Sequence, residues 1–204
     1  VPFMTMPFIA GPIPSDFTPS DKWLAGLPND EARATVWATT IDAIVAISDV
    51  PYEGLTLRTG VDAELAYWRA YLDWLRDTPV ALRDAFEWCA ANRPTSEPAA
   101  KLLWGDVRYG NIVYDDAARC PKAILDWDMV SAGPVEMDLG WLLALEAVQY
   151  DLTRMRVPGF GDRAATITRA EVALGRALVD LDWYEAFALV RASEVSPRLA
   201  FLFP

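Results

Sequence analysis

Apolar residues recur at helical spacing along the first half of the chain, and proline and glycine interrupt them. The pattern predicts three helices, over 29–48, over 61–76, and between Pro79 and Pro94. The apolar faces are Val36, Thr40, Ile44 and Ile47 in the first, Leu65, Trp68, Leu72 and Leu75 in the second, and Leu82, Phe86 and Cys89 in the third. Asn29 or Asp30 is the predicted N-cap of the first helix.

Short apolar runs replace the helical period after Lys101. The runs predicted as strands are 102–104, 111–114 and 123–125, and the runs predicted as helices are 135–148, 169–180 and 184–192. The polar turn 115–119 joins the last two strands into a small hairpin with polar loops at both ends. The predicted fold is therefore α+β and mostly helical, with this hairpin as its β-structure.

Residues 1–14 are nearly all apolar and include four prolines. They predict a strand that runs into a turn, and they lack the basic flank of a signal peptide and the unbroken length of a membrane helix. A lone strand is an unusual start for a domain, and the chain ends directly after the apolar run 199–202. We expect both ends to be cuts through a larger protein.

Composition excludes several classes of function. Eighteen Lys and Arg against 29 Asp and Glu give a net charge of -11, the opposite of what a nucleic-acid-binding protein normally carries. The sequence has no histidine, which excludes histidine triads, histidine bases and histidine-ligated zinc. Cys89 and Cys120 are too few for a disulfide framework or a four-cysteine metal site, and they favour a reduced, cytoplasmic setting. Because the sequence pattern contains no membrane helix, no membrane partner is expected.

Three polar residues flank the predicted hairpin. Asp106 follows an apolar run, Asn111 opens the next strand five residues later, and Asp126 ends the hairpin and should return beside Asn111. Carboxylate and amide oxygens are the ligands that Mg²⁺ prefers, with water and phosphate completing its coordination. A further carboxylate nearby can accept a hydroxyl proton. This combination is what phosphoryl transfer requires.

Two segments resemble a known family, namely LWGDVRYGN at 103–111 and ILDWD at 124–128. They are similar to the aminoglycoside phosphotransferase and choline kinase-like branch of the protein kinase fold, and the resemblance implies a kinase-like C-terminal lobe. It implies that Asp106 is the catalytic base and that Asn111 and Asp126 bind Mg²⁺. It also implies that Arg108 contacts the transferred phosphate and that Asp138 braces the catalytic loop.

The opening segment 3–11 resembles the hinge between the two kinase lobes. The resemblance implies that the Pro7 carbonyl and the Ile9 N–H bind the adenine of the nucleotide. It divides the chain into a hinge remnant of a missing N-lobe, residues 1–14, and a C-terminal lobe, residues 15–204. The sequence departs from the family at Trp104, where the family usually has histidine, and it lacks the N-lobe's glycine-rich loop and strand lysine.

The expected activity is phosphorylation of a small-molecule hydroxyl with Mg²⁺ and ATP, with GTP as an open alternative. The acceptor is not identified by the sequence, and aminoglycosides, choline-like alcohols, sugars and hydroxyacyl compounds all remain open. The surplus of carboxylates between Asp106 and Asp138 suits Mg²⁺ and a cationic acceptor, although acidic surfaces also serve solubility alone. The alternative hypothesis is a degenerate kinase lobe that binds a nucleotide or ligand without catalysis.

Overall fold

Helices dominate the part of the chain that the computed structural model describes, namely residues 6–75, 78–115, 117 and 120–202, with side chains as far as 194. The helices are α1 (Lys22–Gly26), α2 (Asp30–Ser48), α3 (Gly60–Trp74), α4 (Val80–Ala91), α5 (Glu136–Thr153), α6 (Arg163–Leu174) and α7 (Leu181–Leu202). The strands are β1 (Lys101–Leu103), β2 (Ile112–Tyr114), β3 (Pro121–Ile124) and β4 (Ser131–Gly133). The mostly helical α+β prediction is confirmed.

The three predicted N-terminal helices are present as α2, α3 and α4. Asn29 caps α2, because its side chain accepts a hydrogen bond from the N–H of Ala32 at 2.9 Å. The predicted faces are buried, except that Leu75 and Leu82 are partly exposed. Helix α3 ends at Trp74, and Arg76, where its end was predicted, lies outside the described residues.

The predicted helix over 169–180 is wrong in its bounds. Helix α6 begins after Asp162, whose side chain accepts from the N–H of Ala165, and ends at Leu174. Gly175 then adopts the left-handed conformation, with a φ of 68°, which closes a helix. Leu178 lies beyond this break yet packs against the core. A loop residue therefore continued the apolar pattern without continuing the helix.

Two antiparallel pairs of strands make up the β-structure. The predicted hairpin is β2 with β3, where Ile112 is opposite Ile124. Strand β1 pairs instead with β4, and Leu102 is opposite Ala132. Strand β4 was not predicted, because three small residues before a proline carry no alternating pattern. This second pair places the segment before the hairpin directly beside the segment after it.

The opening segment does not form the predicted strand over its described residues, 6–14. Prolines in this segment lack the N–H that a strand would donate. The segment instead runs beside the hairpin, where the Pro12 carbonyl accepts from the N–H of Tyr114 at 2.9 Å and the Ala10 carbonyl accepts from Lys122. The positions 1–5, and 116, 118 and 119 of the predicted turn, lie outside the described residues.

Helix α5 is the centre of the helical part and is buried from Glu136 through Ala144. It packs closely against α7, since a Cβ atom on Gly140 would lie 2.8 Å from the main-chain carbonyl carbon of Tyr184. This packing fixes the start of α5 beneath the loop that follows β1. Over the described residues, none of the helices combines the length and apolar character that crossing a membrane requires.

Candidate active site

A tight turn after β1 leads into the residues that the sequence singles out. Gly105 has a φ of 92°, in the region that favours glycine. A Cβ atom at this position would lie 2.2 Å from the carbonyl oxygen of Met129. Only glycine therefore lets the chain turn this closely against the loop before β4, and the next residue is Asp106.

Asp106 and Asn111 contact each other from the two ends of the loop. The Asn111 Nδ2 donates to the main-chain oxygen of Asp106 at 3.1 Å and to its Oδ2 at 3.0 Å. Both residues are buried. Because the Asn111 nitrogen is committed to these bonds, its Oδ1 is the side-chain atom that can ligate a cation.

Arg108 lies against carboxylates from three separate segments. Its Nε and Nη2 donate to Asp106 Oδ2 at 3.0 and 2.7 Å, and its Nη1 donates to Oδ2 of Asp16 at 2.9 Å. Nη2 also lies 3.8 Å from Oδ2 of Asp126. The Arg108 side chain is 31% exposed, so it is accessible from solvent.

Asp126 returns beside Asn111, as the hairpin predicts. The N–H of Leu125 donates to the Asn111 carbonyl at 2.8 Å, which joins the end of β3 to the start of β2. Asp126 then adopts a φ of 58°, a left-handed conformation that aspartate tolerates better than most residues. Its side chain is 43% exposed. The turn therefore presents a carboxylate to solvent next to the loop of residues 105–111.

Trp104 ties the loop to this turn. Its indole Nε1 donates to the carbonyl oxygens of Leu125 and Asp126, at 2.9 and 3.0 Å. The residue is fully buried, and its ring lies near that of Trp127, with 6.4 Å between centroids. The sequence predicts that an aromatic residue here supports the loop by packing. The structure adds a donated hydrogen bond, which an indole supplies as an imidazole would.

Asp138 holds the turn from below. Its Oδ2 accepts from the N–H of Trp104 at 2.8 Å and its Oδ1 from the N–H of Gly105 at 2.9 Å. Burial raises the pKa of Asp138 to about 6, although these two hydrogen bonds and the charge of Arg191 act in the opposite direction. The contacts are those expected of a residue that braces the loop.

The predicted hinge residues, Pro7 and Ile9, lie in the opening segment that runs beside the hairpin. Pro7 and Ile9 are exposed, and they precede the two main-chain contacts that join Ala10 and Pro12 to the hairpin. The structure brings together Asp106, Arg108, Asn111 and Asp126. The nucleotide-binding role of Pro7 and Ile9 stays a prediction.

Sequence reasoning missed two residues at the site. Asp16, in the loop before α1, pairs with Arg108 across 92 positions of sequence, and nothing in the local pattern indicates this contact. Arg191 donates to the Gly105 carbonyl at 3.4 Å. The sequence does contain a signal for Arg191, because this arginine interrupts a buried helical face that includes Phe187 and Val190. An arginine on such a face indicates a buried charged partner.

The chain matches the model of one protein family, and the solved structures that resemble it are phosphotransferases. The description of the matching family is "Phosphotransferase enzyme family", and it matches residues 1–174. A structure from Ralstonia eutropha JMP134, provisionally named an aminoglycoside phosphotransferase, has a TM-score of 0.76 and 19% identity, over 92% of this chain and 60% of that chain. Aminoglycoside-3'-phosphotransferase of type VIII has a TM-score of 0.63 and 15% identity, over 82% and 64% respectively.

A third similar structure is an aminoglycoside phosphotransferase from Streptomyces rimosus ATCC10970, in complex with ADP and streptomycin. Its TM-score is 0.54 and its identity 19%, over 84% of this chain and 67% of that chain. The chain thus spans about three fifths to two thirds of the length of these structures. They share the protein kinase-like fold, and with the match over residues 1–174 it follows that the chain belongs to the phosphotransferase enzyme family.

Proposed function

We propose that this chain forms the catalytic lobe of an enzyme that phosphorylates a hydroxyl group of a small molecule, using ATP and Mg²⁺. The observation that carries the proposal is that Asp106 Oδ2 accepts from both Asn111 and Arg108, while the Arg108 guanidinium also lies 3.8 Å from Asp126. The ADP and streptomycin bound in the Streptomyces rimosus structure, and the GDP and kanamycin bound in another structural neighbour, support a nucleotide and a hydroxyl-bearing acceptor.

Asp106 is the proposed catalytic base. Its Oδ2 is held by Asn111 and Arg108, and 11% of its side chain is exposed, which leaves the carboxylate within reach of a substrate hydroxyl. The hydroxyl oxygen forms a bond to the terminal phosphorus as the bond from that phosphorus to the bridging oxygen breaks. The hydroxyl proton passes to Asp106, and the nucleoside diphosphate leaves.

Arg108 is the proposed contact to the transferred phosphate. In the absence of an anion its charge is shared among Asp106, Asp16 and Asp126. A phosphate group competes with these carboxylates for the guanidinium fork, which binds either kind of anion through two parallel donors. Movement of Arg108 toward phosphate would leave Asp106 with an open lone pair for the acceptor hydroxyl.

Asn111 and Asp126 are the proposed metal ligands, and their oxygens fit Mg²⁺. Over the described residues, no group of three or more acidic or cysteine side chains is arranged to hold a metal ion. At a nucleotide site, Mg²⁺ is usually bound by one or two protein oxygens, with phosphate and water as the remaining ligands. When bound, the ion neutralises charge on the phosphates.

The nucleotide base is assigned to the hinge segment. The Pro7 carbonyl and the Ile9 N–H are the proposed contacts, and proline is suitable at the first position because only its carbonyl is required. The Ala10 and Pro12 carbonyls that follow are fixed to the hairpin, which holds this segment beside the strands that lead to Asn111 and Asp126. Main-chain contacts of this kind also accept guanine, so GTP is tested together with ATP.

The proposal is tested by incubating the protein with Mg²⁺, ATP or GTP, and a panel of acceptors that spans aminoglycosides, amino alcohols and neutral sugars. The expected result is acceptor-dependent release of nucleoside diphosphate, with one phosphoryl group found on the acceptor by mass spectrometry. Nucleotide binding without transfer to any acceptor in the panel would favour a non-catalytic binding lobe instead. Preference for amine-bearing acceptors is expected, because the site holds more carboxylates than cations.

A further inference from the structure

A buried cation lies behind the catalytic loop and has no part in the proposed chemistry. Arg191, on α7, is 3% exposed, and its guanidinium lies 5.2, 4.7 and 5.7 Å from the ring centroids of Trp68, Trp141 and Phe187. Its Nε has no hydrogen-bond partner. Burying an arginine is costly unless nearby groups compensate its charge, so its neighbours are informative.

The compensating charges come from helices on either side. Glu64 of α3 and Asp138 of α5 act on Arg191 most strongly among the acidic groups, and Asp106 acts more weakly. Arg58 opposes them, but it is itself paired with Glu64, with its Nε 2.7 Å from Oε1. Glu64 is 1% exposed and also accepts from the indole of Trp68 at 3.1 Å.

A further titratable group, Glu194, lies one turn further along α7. It is fully buried, both of its oxygens lack a hydrogen-bond partner, and burial raises its pKa to about 8, although the charge of Arg191 acts in the opposite direction. It is therefore mostly neutral at pH 7. The two cations Arg58 and Arg191 and the two anions Glu64 and Asp138 form a nearly neutral network, in which Arg58 and Glu64 are in direct contact.

The network contacts the turn that precedes Asp106. Asp138 accepts from the Gly105 N–H at 2.9 Å, and Arg191 Nη2 donates to the Gly105 carbonyl at 3.4 Å. The first contact holds the peptide group between Trp104 and Gly105. The second holds the peptide group between Gly105 and Asp106. Opposite charges thus hold two consecutive peptide groups, and the second of these groups ends at the Cα atom of Asp106.

We propose that Arg191 is a positioning residue for Asp106, and that it acts from α7 by holding the Gly105 carbonyl. The proposal rests on the proposed function for its kinetic consequences, but its structural consequence is independent of that function. It predicts that the hydrogen bond from position 191 controls the geometry of the loop.

Three variants separate this role from general stability. R191M removes both the charge and the hydrogen bond, and R191K keeps the charge while losing the guanidinium fork. R176M is the matched control, because Arg176 pairs with the fully buried Glu136 of the same helix α5, at 2.5 and 3.0 Å. Removing Arg176 also leaves a buried carboxylate unpaired, but it does not remove a contact to Gly105.

Turnover is expected to fall roughly 10- to 100-fold in R191M, with the nucleotide KM changed less than about threefold. R176M should lose stability to a similar degree and keep its kcat. Equal kcat losses in R191M and R176M would overturn the proposal.

Hydrogen exchange supplies a readout that needs no activity. The Trp104 and Gly105 amides should exchange faster in R191M than in R176M, and R191K should lie between R191M and the wild type. If the wild type shows no phosphoryl transfer, the proposed function fails while this comparison still decides the role of Arg191. Equal protection of the two amides in all variants would show that Arg191 does not hold the loop. If R191M fails to fold, the kcat and the hydrogen exchange of R191K are compared with those of R176M instead.

Discussion

Asparagine in place of Asp138 is expected to maintain or raise stability while lowering turnover. Asp138 is 2% exposed, and burial raises its pKa from 3.8 to about 6. A raised carboxyl pKa means that the folded chain binds this proton more tightly than the unfolded chain does. The charged form therefore costs folding free energy at neutral pH, and the cost falls as the pH drops from about 6 to about 4.

The magnitude follows from this pKa. About two pKa units correspond to about 3 kcal/mol at roughly 1.4 kcal/mol per unit. Asparagine is neutral at every pH but offers one oxygen to the two N–H groups that Asp138 now binds. Leaving one buried N–H unpaired costs about 1–3 kcal/mol, and protonation of Asp138 already includes a similar loss. D138N should thus be as stable as the wild type, or up to about 3 kcal/mol more stable, at pH 7.

Urea unfolding of D138N and of the wild type at pH 7 and pH 4.5 measures the difference between their free energies of unfolding. This difference should shrink at the lower pH, because Asp138 of the wild type has then taken up the proton. Turnover should fall roughly 10- to 100-fold in D138N, since one of the two peptide groups before Asp106 loses its acceptor. D42N is the control, because Asp42 pairs with Arg169 away from the site. Destabilisation of D138N by more than about 1 kcal/mol at pH 7, or an unchanged kcat, would refute the reasoning.

Three further predictions concern the loop, the helical core and the cysteines. W104F removes the indole donor to the carbonyls of Leu125 and Asp126 and should cost about 1–3 kcal/mol in urea unfolding. If Asp126 binds the metal as proposed, Mg-nucleotide binding should also weaken by calorimetry, and an unchanged affinity would contradict this role of Trp104. G140A places a methyl group against the main chain of α7 and should cost about 1–3 kcal/mol, whereas an unchanged melting temperature would contradict the close packing. Burial raises the pKa of Cys89 to about 11, so a thiol reagent should label only the exposed Cys120 in the folded protein, and C120S should abolish that labelling; rapid labelling of C120S would show that Cys89 is accessible.

The parts of the fold that the sequence predicted are those with a local signal. Helix α2 has a capping residue at Asn29 and a four-residue apolar face, and its bounds were predicted almost to the residue. Strand β4 is three small residues long, and its pairing with distant segments, β1 on one side and the residues before α3 on the other, makes it a strand. The end of α6 was placed too late because Leu178 packs against the core from a loop.

The same distinction applies to the site. Asp106, Asn111 and Asp126 were identified because they lie in short segments with a recognisable spacing and context, and the structure brings them together. Asp16 and Arg191 reach the loop from 92 and 86 positions away. Contacts of this kind depend on how helices pack, which a local pattern does not encode.

The measurement that tests the central claim most directly compares turnover and nucleotide affinity in D106A with those of the wild type and of D42A. The account predicts that D106A loses detectable phosphoryl transfer, because no other carboxylate has the contacts that orient Asp106 between Asn111 and Arg108 in the described site. Its affinity for the Mg-nucleotide should stay within about threefold of the wild type. D106A turnover equal to that of D42A would contradict the role of Asp106 and, with it, the proposed mechanism.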